Sequence, residues 1–231
     1  MSTFRFRNYG EQDAMSDLIS EHYPALFVLS RFQIALGFGD KSISEVCREN
    51  NIDTPTFLAI INLMVKHQPV ILPAETTISL SSLMDYLHRS HDYFLLYRLP
   101  EIRKKLVNVL NENQEDLNKA VLGYFDKFAT EVKKHMLSEN NKVFPYVKAL
   151  LQKENCEKYV FGFKKQHERI ETSLTEFKNI LIKYYPAQNT NEINSVLFDI
   201  FSCERDLASH NAVEDYLFLP AIEALEKQSA S

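Results

Sequence analysis

A pattern of one histidine, one glutamate and one proline is written twice in this chain of 231 residues. In both copies the glutamate follows the histidine by four residues and the proline follows the glutamate by six: His135, Glu139 and Pro145, then His210, Glu214 and Pro220. Positions i and i+4 of an α-helix lie on the same face. Each copy therefore directs an imidazole and a carboxylate to one point in space, which predicts paired metal ligands on two helices.

The composition favours helices throughout the chain. Only 5 residues are glycine, while 45% are hydrophobic and 25% are charged, as in an ordinary globular protein. Apolar residues recur at steps of three and four in four long segments with short polar connections: residues 81–111, 114–143, 157–185 and 190–216. This pattern predicts an all-α fold built on an up-down-up-down four-helix bundle. Pro100 and the two repeated prolines are expected to end or kink their helices.

Three shorter helical patterns precede the bundle: residues 12–31, 43–50 and 55–67. A segment with two prolines and several threonines and serines, residues 68–80, separates them from the first long helix. We therefore predict a small helical N-terminal domain over residues 1–75 and a bundle domain over residues 80–231.

Each long helix carries one histidine in its apolar stripe, and two helices add a glutamate: His91, His135 with Glu139, His167, and His210 with Glu214. His91 and His135 each lie about 20 residues from the connection near Glu112, and His167 and His210 each lie about 20 residues from the connection near Ala187, or about 30 Å at 1.5 Å per residue. The four imidazoles are therefore expected at one level of the core. His88 lies one turn before His91 and is the alternative ligand, but His91 continues the apolar stripe and is preferred.

Two glutamates in an apolar core need a compensating charge, because burial disfavours the carboxylate. A hydrogen bond explains one His–Glu pair, but two matching pairs with two further histidines favour a metal centre. Nitrogen and oxygen ligands without a thiolate suit iron or manganese better than structural zinc. We therefore expect two iron ions, with manganese as the alternative. The expected ligands are His91, His135, Glu139, His167, His210 and Glu214. No catalytic residue is identified, and whether the protein is an enzyme stays open.

These segments resemble the hemerythrin-like di-iron proteins, and in particular the repair-of-iron-centres family. The family phrase His-Met-x-x-Glu-x-x-x-x-Phe-Pro matches residues 135–145, and its partner matches residues 210–220. Gln166-His167-Glu168 and the ten residues from His91 resemble the family's other histidine segments. The resemblance covers about residues 81–225 and implies that the two glutamates bridge the metal ions.

The N-terminal residues also resemble that family, in the small helical domain that precedes its bundle. The matching stretch is residues 15–47. One departure lies within it, because Leu36-Gly37-Phe38-Gly39 stands where the family usually has Cys-Cys-Gly-Gly. A second departure is that no histidine occurs between His91 and His135, where some relatives have one.

Members of that family protect or restore iron–sulfur clusters after nitrosative or oxidative stress. The resemblance thus implies a stress-response protein whose partners are damaged iron–sulfur proteins. One alternative is a hemerythrin-type protein that binds or senses dioxygen or nitric oxide. Another is a helix-turn-helix regulator, suggested by residues 42–59, but residues 1–75 hold six basic and nine acidic residues, a poor match to DNA. A ferritin-like oxidase is disfavoured because its paired helices carry Glu-x-x-His, the reverse order.

Charge and cysteine content point to a cytoplasmic protein. The net charge of -5 argues against nucleic acid as a partner. The N-terminus lacks the apolar region of a signal peptide, and no apolar run of about 18 residues suggests a membrane span. The three widely spaced cysteines, Cys47, Cys156 and Cys203, are expected to be free thiols. We expect a monomer or a homodimer.

Overall fold

The computed structural model describes residues 8–66, 78–110, 113–154, 162–186 and 189–229 of the chain. All regular secondary structure in these residues is helical, which confirms the predicted all-α fold. None of the helices in these ranges is both long enough and apolar enough to cross a membrane. The predicted domain boundary falls mostly on residues 67–77, outside the described residues, and stays a prediction.

Four short helices occupy the N-terminal part of the described chain: α1, Met15–Glu21; α2, Ala25–Arg31; α3, Ile43–Glu49; and α4, Thr54–Lys66. The single helical pattern expected over residues 12–31 therefore forms two helices. Pro24 is the residue that precedes α2. A proline disfavours the helical conformation in the residue before it, and Tyr23 accordingly lies in the turn between the two helices.

Helices α3 and α4 both begin with a side-chain cap. Ser42 and Glu45 form a capping box at the start of α3, and the backbone N–H of Thr56 donates a hydrogen bond of 2.9 Å to Asp53 Oδ2 at the start of α4. No residue of α4 is exposed. A helix that reads DNA must present its side chains to the groove, so the burial of α4 argues against the helix-turn-helix alternative.

Four long helices follow, and the third is a plain α-helix, Phe163–Tyr184. The other three each contain a π-helical turn between two α-helical segments: Leu80–Asp92, Tyr93–Arg98 and Leu99–Val109 in the first; Glu115–Ser138, Glu139–Val143 and Phe144–Leu151 in the second; Thr190–Val213, Glu214–Phe218 and Leu219–Ser229 in the fourth. The second and fourth helices thus continue past their predicted ends at residues 143 and 216.

A proline lies two residues after each π-helical turn: Pro100, Pro145 and Pro220. In a regular α-helix the ring of a proline clashes with the carbonyl four residues earlier and leaves that carbonyl without its usual donor. Here the carbonyls concerned belong to residues inside the π-helical turns: Leu96, Asn141 and Tyr216. The wider turn, with hydrogen bonds that reach back five residues, accommodates the proline. The three helices therefore continue through their prolines instead of ending there.

The chain divides into two compact units, Met1–Ser90 with Ser209–Ser231, and His91–Ala208. In the second unit all four long helices contribute to one apolar core. Four phenylalanines described in that core are at most 1% exposed: Phe94, Phe125, Phe128 and Phe177. In the first unit, Phe32 contacts both Phe57 of α4 and Tyr86 at the start of the first long helix, with ring centroids 5.5 and 5.3 Å apart.

Contacts between neighbouring helices of the second unit show an antiparallel order. Along the second helix, Tyr124 bonds to Glu176 and Glu131 bonds to Arg169, so partner numbers fall as residue numbers rise. Two pairs relate the first and second helices in the same way: Arg103 with Asp126, and His91 with Asn140. Thr175 and Lys178, near the end of the third helix, both contact Glu204 in the middle of the fourth. The fourth helix therefore folds back along the third.

Candidate metal centre

A buried carboxylate on the second long helix lies between two imidazoles. Glu139 Oε2 is 3.3 Å from Nε2 of His91, on the first long helix, and Glu139 Oε1 is 3.2 Å from Nε2 of His135, one turn earlier on its own helix. The three residues are 2%, 0% and 5% exposed, respectively. His135 and Glu139 therefore meet on the core face of their helix, as their i, i+4 spacing predicts.

The third long helix adds a third imidazole at the same level. His167 Nε2 lies 3.1 Å from His135 Nε2, and the two rings meet edge to face with centroids 4.9 Å apart. His167 is 3% exposed. Residue counts along the helices predicted one common level for these histidines of the second unit. The contacts confirm it, because His91 and His135 both contact Glu139 and His167 contacts His135.

The second copy of the pattern repeats the geometry of the first. His210 Nε2 and Glu214 Oε1 are 3.2 Å apart, and each residue is 1% exposed. In the second unit, donor atoms of His135, Glu139 and His167 lie within 4.8 Å of one another, and those of His91 and Glu139 lie equally close. The grouped donors of this unit are therefore His91, His135, Glu139 and His167.

The prolines of the repeated pattern explain the local backbone at both glutamates. Glu139 and Glu214 are each the first residue of a π-helical turn. Their backbone carbonyls accept hydrogen bonds from the N–H groups of Phe144 and Leu219, five residues later. These turns were not predicted from the sequence, although a proline six residues after each glutamate is the signal that reveals them. π-Helical turns inside α-helices occur frequently at functional sites.

Two side-chain amides contact His91 and His135 at Nδ1, the ring nitrogen that faces away from Glu139. No role for these amides was predicted from the sequence. Asn140 Oδ1 lies 2.7 Å from Nδ1 of His91, and Gln166 Oε1 lies 2.8 Å from Nδ1 of His135. An amide oxygen only accepts hydrogen bonds, so both contacts require Nδ1 to carry the proton. The lone pair of each neutral imidazole is then at Nε2, which faces Glu139.

This donor set fits a bound cation. The Nε2 lone pairs of His91 and His135 face carboxylate oxygens at 3.3 and 3.2 Å, and two acceptors approach this closely when a proton or a cation lies between them. Ligands with bonds of about 2.0–2.2 Å to one ion stand about 3.0–3.4 Å apart when they are adjacent. Imidazole and carboxylate donors suit iron, manganese and zinc.

The two other histidines that the structure describes, His22 and His88, belong to no group of possible metal ligands. His88 is exposed, whereas its alternative His91 is 0% exposed. His22 is 9% exposed, and its ring contacts Tyr9 edge to face in the first unit. His67 lies outside the described residues.

The two cysteines that the structure describes are both buried free thiols. Cys203 is 1% exposed within the core of the second unit, and Cys47 is 0% exposed within the first. Cys156 lies outside the described residues. Burial of Cys47 raises the pKa of its thiol to about 11, because desolvation disfavours the thiolate. Neither thiol lies among the grouped donors.

The raised pKa of Cys47 predicts slow alkylation. Its thiol is expected to react with iodoacetamide at pH 8 about 100-fold more slowly in the native protein than in urea, because a pKa of about 11 instead of the ordinary 9.0 leaves about 100-fold less thiolate. The native rate should rise with pH up to about 11. Peptide mapping by mass spectrometry measures both rates, and equal rates in the two states would contradict the burial of this thiol.

The fold and these side chains define a class of protein: a helical protein in which buried histidines lie beside buried glutamates, an arrangement suited to binding a cation. Residues 82–222 match the family model of the hemerythrin HHE cation-binding domain. The match covers more than half of the chain, and the chain belongs to this family. No curated protein matches the sequence. Family membership and the buried group together indicate a metal-binding protein of hemerythrin type, for which iron is the typical metal.

Proposed function

We propose that this chain is a di-iron protein that repairs or protects iron–sulfur clusters damaged by nitrosative or oxidative stress. The observation that carries the di-iron part is the buried carboxylate of Glu139, whose two oxygens face His91 and His135 at 3.3 and 3.2 Å. The buried pair of His210 and Glu214 repeats the His–Glu contact at 3.2 Å. The proposed ligands of one ion are His91 and His210, and those of the other are His135 and His167. The two glutamates serve both ions. The proposal places the protein in the cytoplasm, as a monomer or a homodimer.

The side chains have distinct roles in this proposal. The imidazoles hold the ions as neutral donors, and the carboxylates of Glu139 and Glu214 supply the negative charge that a buried pair of cations requires. Two imidazoles and two shared carboxylates leave open positions on an ion that accepts more than four ligands, as in other non-haem iron sites. Bound iron would supply an exchangeable centre there, because it is held without a thiolate.

The choice of iron–sulfur clusters as clients rests on the resemblance of the four histidine segments to the repair-of-iron-centres family. The N-terminal turn departs from that family. Gly37 and Gly39 both have positive φ, +101° and +61°, so the chain makes a turn there that suits glycine but contains no cysteine. The proposed repair therefore depends on the metal centre, without a thiol from this turn.

Metal content is the first test of the proposal. We expect protein purified after growth with iron to hold two irons per chain, measured by elemental analysis and an optical spectrum under anaerobic and aerobic conditions. Protein grown with manganese tests the alternative metal in the same way. A single zinc, or no iron after growth with iron, would contradict a di-iron centre.

Cluster repair is tested with a bacterial enzyme whose iron–sulfur cluster has been damaged by nitric oxide or peroxide. We expect iron-loaded protein with added reductant to restore its activity, and His135→Ala to abolish the recovery, because this change removes a proposed ligand. His88→Ala is the matched control, since His88 lies one turn before a proposed ligand but is exposed. Equal recovery with wild type and His135→Ala, or none with either, would contradict repair at this centre.

The second candidate function is the binding or sensing of dioxygen or nitric oxide. The specific observation in its favour is the apolar surface beside His91, whose ring stacks on Phe144 at a centroid distance of 5.6 Å and an angle of 3°. Such surroundings suit a small uncharged gas. A reversible change in the optical spectrum on adding either gas, together with no cluster recovery, would favour this function over repair.

A further inference from the structure

Both imidazoles that face Glu139 are supported by a neutral amide from a neighbouring helix. Asn140, on the second long helix, supports His91 of the first helix, and Gln166, on the third, supports His135 of the second. The two contacts are short, 2.7 and 2.8 Å, and join residues 49 and 31 positions apart. The same arrangement thus occurs twice with unrelated pairs of residues.

The π-helical turn explains how Asn140 reaches His91. Glu139 and Asn140 are the first two residues of the turn Glu139–Val143. In a π-helical turn the backbone rotates less from one residue to the next than in an α-helix, because more residues make up each turn. Two consecutive side chains can therefore approach the same neighbouring helix. Glu139 contacts His91 Nε2 and Asn140 contacts His91 Nδ1, so one turn holds both nitrogens of the ring.

The chemistry of an amide differs from that of the usual partners of metal-binding histidines. Those partners are often carboxylates, which fix the tautomer and also raise the basicity of the ligand. An amide oxygen fixes the same tautomer, with the proton on Nδ1, but adds no negative charge. An imidazole whose Nδ1–H bonds to an amide therefore donates less electron density to its ion than one whose Nδ1–H bonds to a carboxylate. A weaker donor stabilises a divalent ion relative to a trivalent one.

We propose that Asn140 and Gln166 are positioning residues that hold His91 and His135 ready to bind metal at Nε2 and that, as neutral amides, keep the bound iron in its divalent state more readily than carboxylates would. This inference rests on the proposed function, because it requires iron at the site. The inference also explains why the proposed iron is exchangeable, because divalent ions exchange their ligands faster than trivalent ions.

Two kinds of substitution separate the two parts of this proposal. Asn140→Leu and Gln166→Met remove the acceptor at nearly constant size, and each is expected to lower iron affinity about 10- to 100-fold, the usual effect of losing such a partner. Asn140→Asp and Gln166→Glu keep the acceptor and add a negative charge. They are expected to retain two irons but to lower the midpoint potential of the centre, measured by spectroelectrochemistry under argon.

Asn141→Asp is the matched control for charge, because Asn141 lies in the same π-helical turn but is exposed. It should leave both affinity and potential unchanged. A merely structural role for Asn140 would lower the melting temperature without rescue by aspartate and without a change in potential. Zinc-substituted protein gives a further measurement, because its His91 Nδ1–H proton should exchange slowly in NMR spectra of wild type and fast in Asn140→Leu.

The outcomes distinguish this inference from the function on which it rests. Wild-type protein that binds no iron would overturn both. Wild-type protein with two irons, and amide variants with unchanged affinity and potential, would overturn this inference alone. If Asn140→Leu does not fold, the comparison of Asn140→Asp with Asn141→Asp still decides, since equal potentials in those two variants would overturn it.

Discussion

Replacing Glu139 by alanine is expected to remove most of the bound metal and to lower the melting temperature of the metal-loaded protein. Glu139 is 2% exposed and contacts both His91 and His135, so its loss affects both proposed ions at once. Metal bound to the native state stabilises it by mass action. Iron content and thermal melting, each with and without a chelator, measure the two effects. Glu214→Ala is expected to behave in the same way.

The metal-free protein should respond to Glu139→Ala in the opposite direction. Without a cation, a buried carboxylate beside imidazoles is costly, so its removal should leave the apo form as stable as wild type or more stable. Glu115→Ala is the control, because the Glu115 side chain is 79% exposed on the same helix. If both glutamate variants kept two irons and an unchanged melting temperature, neither glutamate would be a ligand.

Replacing Phe177 by alanine is expected to cost about 3–5 kcal/mol in the free energy of unfolding, the usual range for a buried phenylalanine. Phe177 is 0% exposed, and its ring lies 5.5 Å from that of Phe125, between centroids. The change leaves a cavity that rigid helices close only in part. Denaturation of the metal-free protein by urea measures the loss.

Phe198→Ala is the matched control for this second prediction. Phe198 lies on the fourth long helix and is 73% exposed, so its removal should change the free energy of unfolding by less than about 0.5 kcal/mol. Folded Phe177→Ala protein should still bind two irons, because Phe177 is not among the grouped donors. Equal losses for Phe177→Ala and Phe198→Ala would contradict the packing of this core.

Several parts of the structure follow from the sequence because they depend on short-range order. The pairing of His135 with Glu139 and of His210 with Glu214 needs only the i, i+4 geometry of one helix. The common level of His91, His135 and His167 follows from a constant rise per residue, once the helices are antiparallel neighbours. The helical class follows from the periodicity of the apolar residues, which reports the face that each helix buries.

Other features became visible only in the tertiary structure. The contacts of Asn140 with His91 and of Gln166 with His135 join different helices, and their existence depends on the rotation and separation of those helices, which no local pattern specifies. The continuation of three helices through their prolines depends on π-helical turns, whose cost must be offset by packing on both sides. The burial of His91 and the exposure of His88 are likewise visible only there. Neighbouring turns of a helix share the same local signals, and only the packed bundle shows which of them faces the core.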